Sequence, residues 1–156
     1  MTPNLIPEVQ DYSLLLSQSF QLCTRKPILN GLPEDKAGLA EALFEARCPV
    51  VSHGTQTDPI FCYANRAALE LWEMDWDTFT RLPSRLSAEA ADATQADRNS
   101  HLEHALKRGF VDGLSGVRVS RTGRRFEIRD TILWNVVDTQ GTHRGQAAVI
   151  GSWQYL

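Results

Sequence analysis

A chain of 156 residues, 42% hydrophobic and 22% charged, has the length and balance of one soluble globular domain with room for a substantial core. Its net charge of −3, with no basic run to offset it, supplies no drive towards nucleic acid or anionic lipid, so neither is expected as a partner. No stretch approaches membrane-spanning length and no basic-then-apolar leader opens the chain, which points to a cytoplasmic protein.

Val9, Tyr12, Leu16 and Phe20, joined by Leu15 and Leu22, fall on one side of an N-terminal helix that Pro27 and Asn30-Gly31 would stop. Pro33, Glu34 and Asp35 suit the first turn of a second helix, with Leu39, Leu43 and Ala46 as its buried stripe. Pro49 separates that helix from a strand over Val50 to His53. Gly54 to Pro59 supplies turn chemistry, and the strand from Ile60 then completes a β-hairpin.

Asn65 is placed to cap a helix over Arg66 to Trp72. A short helix containing Asp75, Trp76, Phe79 and Leu82 follows and ends at Pro83. A longer one is expected over Asp92 to Arg108, with Ala96, Leu102, Ala105 and Leu106 inward and Gly109 as its stop. Three strands complete the chain. Val117 and Val119 mark the first; Phe126, Ile128, Ile132, Trp134 and Val136 alternate along the second. The third covers Gly145 to Tyr155, with Ala147, Val149, Gly151 and Trp153 on one face. Cys23, Cys48 and Cys62 are odd in number and widely spaced, as expected of small reduced core residues.

The order of helices, two strands, helices, then three strands implies an α+β fold: an antiparallel five-stranded sheet covered on one face by helices, with extra N-terminal helices. The strand-to-helix junction Asp58-Pro-Ile-Phe-Cys-Tyr-Ala-Asn-Arg-Ala-Ala-Leu-Glu-Leu-Trp72 resembles the start of a PAS sensory domain. Val50-Val-Ser-His-Gly-Thr55, Leu82-Pro-Ser-Arg-Leu-Ser-Ala-Glu89, Ser115-Gly-Val-Arg118 and Gly123-Arg-Arg-Phe126 resemble, more narrowly, the PAS-related MEKHLA family. The resemblance implies residues 1–47 as a helical extension and 48–156 as a PAS-like domain, the two forming one globular unit. It also implies middle helices that cross the sheet and enclose a pocket. With no homeodomain or zipper, the chain is similar to the family's stand-alone bacterial form rather than to the terminal module of plant transcription factors.

The aromatics Tyr63, Trp72, Trp76, Phe79, Phe126 and Trp134 are candidates for the pocket wall, where they could stack a planar ligand or simply fill the core. Arg85 could hold a carboxylate or phosphate, assisted by Ser84, or pair with Asp58 or Asp75 to fix its loop. Asn65 joins the set, with capping as its structural role. Arg118 and Arg129 fall outside the apolar alternation, so solvent exposure is expected of both. Asp130 interrupts that alternation and must be paired, pocket-facing or on a bulge. His53 could report pH or touch a ligand.

His104 or His101, on the long helix, would be the axial ligand if the chain resembled haem-binding PAS proteins, which supply theirs from that element; solvated histidines are the simpler expectation. The Asn-Cys-Arg-Phe-type run of flavin photoreceptors is absent, so no flavin adduct is expected, and neither a cofactor nor a metal is identified. The leading expectation is a sensory or binding module for a small organic ligand or a protein partner, without catalysis, homodimeric through its N-terminal helix. Two alternatives stand beside it: a ligand-free interaction domain with a filled interior, and a small pocket enzyme of nuclear-transport-factor-like fold, for which Asp130 and His53 are the test pair.

Overall fold

A computed structural model describes residues 2–156. After a single turn at Pro3–Leu5, α1 runs over Pro7–Thr24 and α2 over Lys36–Phe44. The hairpin strands β1 (Val50–His53) and β2 (Phe61–Ala64) lead into α3 (Arg66–Trp72), α4 (Trp76–Phe79), a 3-10 turn at Ser84–Ser87 and α5 (Asp92–Arg108). The chain closes with β3 (Phe110–Val119), β4 (Arg125–Val137), β5 (His143–Val149) and β6 (Ser152–Tyr155). All pairings are antiparallel, in the order β2-β1-β5-β4-β3, with β6 beside the first half of β4.

Asn65 explains why the hairpin, α2 and α3 meet where they do. Its Oδ1 accepts from the amides of Ala68 at 3.1 Å and Val50 at 2.9 Å. Its Nδ2 donates to the carbonyls of Leu43 at 3.2 Å and Cys48 at 2.8 Å. One fully buried amide thus caps α3 and ties it to the end of α2 and the start of β1. α2 itself starts later than Pro33 suggests: Asp35 is the N-cap, accepting from Gly38 N at 2.8 Å, so proline precedes the helix rather than opening it.

Both faces of the sheet are covered. α1 lays Val9, Leu16 and Phe20 against Tyr63, Trp134, Val136 and Ala147, so its apolar stripe is buried on its own domain. Ser13 and Ser19, also fully buried, let the helix approach closely, and each returns its hydroxyl proton to a carbonyl of its own helix, that of Val9 or Leu16. Ser19 Oγ also accepts from Trp134 Nε1 at 3.1 Å. On the opposite face α3 and α4 pack Trp72 and Phe79 with Val51, Phe61, Phe126 and Ile150.

A bulge at Asp130 decides which residues of β4 face which layer. Asp130 has φ +50°, and its carbonyl accepts from Gly151 N at 3.2 Å where β5 gives way to β6. One extra residue reverses the inward parity of everything beyond it. Phe126 and Ile128 therefore pack with Trp72 and Phe79, whereas Trp134, Val136 and the half-buried Ile132 pack under α1. The sequence-based alternation through 126, 128, 132, 134 and 136 is corrected here: it is two faces joined at a bulge. The last strand breaks at the same level, giving β5 and β6 where the sequence suggested one.

Candidate functional site

Between α5, the Ser84–Ser87 turn and the sheet lies a cavity of about 80 Å³. Val51, Phe61, Trp72, Ile128, Leu133 and Ile150 give it apolar walls, and His53, Ser84, Arg98, Arg118, Thr131 and Gln146 supply polar atoms. It has room for ordered water or a small organic molecule.

Backbone pairing fixes one end of the site. Phe61 N donates to Leu82 O and Ser84 N to Pro59 O, so the 3-10 turn is docked on the hairpin with Ser84 pointing inward. Arg98 Nη2 donates to Ser84 Oγ at 2.6 Å, and Ser84 Oγ lies 2.7 Å from His53 Nδ1. A guanidinium only donates, so the fully satisfied arrangement has Ser84 accept from Arg98 and donate its single proton to His53. That assignment leaves His53 neutral, with its proton on Nε2. Burial pushes the His53 pKa down to about 4, helped by the charge of Arg98 and then His143, against a hydrogen bond that the ring can donate to Gln146.

Polar side chains fix the other end of α5. Gln146 Nε2 donates to Leu102 O at 3.0 Å and to Asn135 Oδ1 at 3.2 Å. Asn135 Nδ2 donates to Ala105 O at 3.0 Å. These amides satisfy carbonyls of the helix's last turns and hold it over the sheet. The inward face of α5 is then Arg98, His101, Leu102 and Ala105, at helical spacing.

Arg98 is 8% exposed and Arg118 half-buried, and among the described residues neither has a carboxylate within 4.0 Å. Arg118 Nη1 donates to its neighbouring Val117 carbonyl at 2.9 Å. Burial holds the pKa of both below the usual arginine value; for Arg118, pushed down to about 10, the charge of Arg98 adds to the effect. The two remain cationic at neutral pH in a largely apolar chamber.

Of the residues expected at a pocket from the sequence, Trp72 lines this cavity, with its indole N–H donating to Ser87 O at 3.2 Å. Phe79 and Phe126 pack edge-on to Trp72 behind the wall. Tyr63, Trp76 and Trp134 lie with the α1 layer on the other face of the sheet, and Asn65 is consumed by its four hydrogen bonds. Arg85 is exposed and pairs with Asp58 at 3.2 Å, while its neighbour Ser84 is the inward residue. His101 lines the cavity with Asp97 at 3.5 Å, and His104 is exposed.

Three expectations are corrected. Arg118 faces the cavity instead of solvent, because β3 is irregular between Val111 and Gly116 and Arg118 folds back along its own strand. Ala96 and Leu106 are exposed on α5. Arg98, absent from the sequence reading, takes the inward position. Its signal was its spacing of four and seven residues from Leu102 and Ala105, masked by the assumption that charge points outward.

Solved structures with this architecture are PAS and light-oxygen-voltage domains. A PAS domain from Colwellia psychrerythraea aligns with a TM-score of 0.61 at 12% identity, over 71% of this chain and 90% of that one. The photo-excited blue-light photoreceptor Vivid gives 0.58 at 17% identity, over 88% and 94%. An RNA-binding light-oxygen-voltage receptor gives 0.63 at 20% identity, over 81% of this chain but 36% of that longer one. At such identities the likeness is one of fold. No curated protein matches the chain. The MEKHLA domain family matches residues 10–155, α1 included but for its first turn. The chain belongs to the MEKHLA domain family, built on a PAS-type sheet.

Proposed function

We propose that this domain is a PAS-like sensory module that binds a small organic ligand in the cavity under α5 and does not turn it over. The observation that carries the reading is the cavity itself: an apolar chamber with a few fixed polar groups, on the helix-covered face of the sheet. A ligand there would touch α5 and the Ser84–Ser87 turn together, and preferential binding to one arrangement of these elements would shift the population towards it.

A covalent flavin adduct lacks its thiol here: none of the three cysteines lines the space. The ligand-free reading explains the packed Trp72 and Trp134, at 2% and 0% exposure, but not the open volume beside Trp72. The enzyme reading needed Asp130 near His53; Asp130 lies exposed on the bulge and is not among the cavity walls. A homodimer through α1 would have to use what its buried stripe leaves over, notably Leu22, with Leu5 just before the helix.

The test is a thermal-shift screen of a metabolite library against the wild type and against Ala148→Leu, which fills the cavity from β5. Compounds that stabilise the wild type and lose their effect in the folded variant support the reading. An equal response in both, or no response in either, contradicts it.

A further inference from the structure

Five exposed arginines have acidic partners: Arg66 with Glu45, Arg85 with Asp58, Arg125 with Glu89, Arg129 with Glu127 and Arg144 with Asp138; six more stand in solvent without one among the described residues, where an unpaired cation costs little. Those pairs are exposed, where they are worth little. The two arginines of the cavity, where an unpaired cation is most costly, have none among the described residues. The acids that could serve them are engaged elsewhere, Asp58 by Arg85 at 3.2 Å and Asp97 by His101 at 3.5 Å.

Each guanidinium carries five N–H donors. Within the protein, Arg98 places one on Ser84 Oγ and Arg118 one on Val117 O. The arrangement is nonetheless built. Gly116 leaves bare the spot against which Arg118 folds, since a Cβ there would lie 2.9 Å from Nη1. Ser84 fixes Arg98 from the other side of the chamber. Leu102, Leu133 and Ile150 give the chamber an apolar wall beside the two arginines.

We infer that the ligand of this cavity is a small organic acid, its carboxylate taken by Arg98 and Arg118 and its short carbon body lying against Leu102, Leu133 and Ile150. This rests on the reading of the cavity as a ligand site. A carboxylate matches the planar fork of a guanidinium with two parallel hydrogen bonds and gives these cations the direct partner that Asp58 and Asp97, acting from beyond 4.0 Å, do not. An inorganic anion would leave the apolar walls without a partner, and a neutral ligand would leave both cations without a direct one.

The test uses acetate, propionate and butyrate beside acetamide, propionamide and butyramide, matched in heavy atoms, with inorganic phosphate as a further probe. Thermal melts of the full chain are read for the wild type, Arg118→Met and Arg118→Lys, the last keeping the charge without the fork. The expected result is a saturable stabilisation by the acids, strongest for propionate or butyrate, and none by the amides. Arg118→Met should weaken it about ten- to a hundredfold, with Arg118→Lys between. With no ligand present, Arg118→Met should melt no lower than the wild type, because it removes a cation without a direct partner. Equal binding of acids and amides would overturn the anion assignment and leave the ligand site standing. Phosphate matching butyrate would overturn the organic part. No shift with any acid, together with a lower melt for Arg118→Met, would make Arg118 a structural residue and overturn the inference, while the library screen decides separately whether the cavity binds anything.

Discussion

His53 Nδ1 and Ser84 Oγ lie 2.7 Å apart, joining the end of β1 to the turn before α5, and Arg98 donates to that same hydroxyl at 2.6 Å. The contact keeps a buried imidazole neutral beside a cation, and its pH behaviour follows. His53 is pushed down to about 4 in the folded protein, chiefly by burial, against an ordinary value of 6.5. Between these values the unfolded chain holds the extra proton, so the contribution of His53 to stability is present above 6.5 and is lost as pH falls towards 4. Carboxylates titrate in the same range, so the measurement is a difference. Between about pH 7 and about pH 4.5, urea unfolding of the wild type should lose about 2 kcal/mol more than that of His53→Asn, whose amide oxygen can accept from Ser84. Parallel pH profiles for the two proteins would show that His53 is not held neutral.

Asn65 should be among the least replaceable polar residues. Asn65→Ala strands the amides of Val50 and Ala68 and the carbonyls of Leu43 and Cys48. The expected loss is about 2–4 kcal/mol in urea unfolding. Asn65→Asp keeps the acceptor for the α3 cap but sets a buried carboxylate oxygen against the carbonyls of Leu43 and Cys48, so at neutral pH it should be no less damaging than alanine.

The bulge makes an asymmetric prediction. Gly151→Ala would put a Cβ 2.6 Å from the backbone oxygen of Asp130, so β4 or β6 must shift, at a cost of about 2 kcal/mol or more. Asp130→Gly relieves a positive φ at an exposed site and should be neutral or stabilising by up to about 1 kcal/mol in thermal or urea unfolding.

α1 should behave as part of the domain core. Leu16 is fully buried beneath it, and Phe20 meets Trp134 edge-on at 4.9 Å between ring centres. Leu16→Ala should cost about 2–5 kcal/mol. Removing α1 should expose Trp134 and Tyr63 and yield an unfolded or aggregating chain by circular dichroism and light scattering, rather than a folded monomer.

Much of the fold was legible because its elements carry local signals. The Asn65 cap, the Gly109 stop and the proline-bounded hairpin are short-range chemistry that one sequence displays. The face assignments were less legible, because a bulge leaves the period-two pattern intact while exchanging the sides it points to. Phe126 and Trp134 therefore read as neighbours on one wall and lie in separate layers. The site was hardest to read, since its distinguishing residues, Arg98 and Arg118, violate the rule that charges face solvent. On α5 the helical spacing to Leu102 and Ala105 could have revealed Arg98; for Arg118 the strand pattern argued for exposure, and only the fold brings it inward.

The most direct test is nuclear magnetic resonance of the ¹⁵N-labelled protein titrated with butyrate, following the four tryptophan indole N–H signals and the arginine Nε–H signals. Trp72 reports the cavity, Trp76 and Trp134 the α1 layer, and Trp153 the exposed face of β6. Saturable shifts confined to Trp72, Arg98 and Arg118, with Trp76, Trp134 and Trp153 unmoved, are the predicted result. Shifts centred on Trp134, Trp76 or Trp153, or none up to concentrations that saturate a weak site, would contradict carboxylate binding in the chamber under α5.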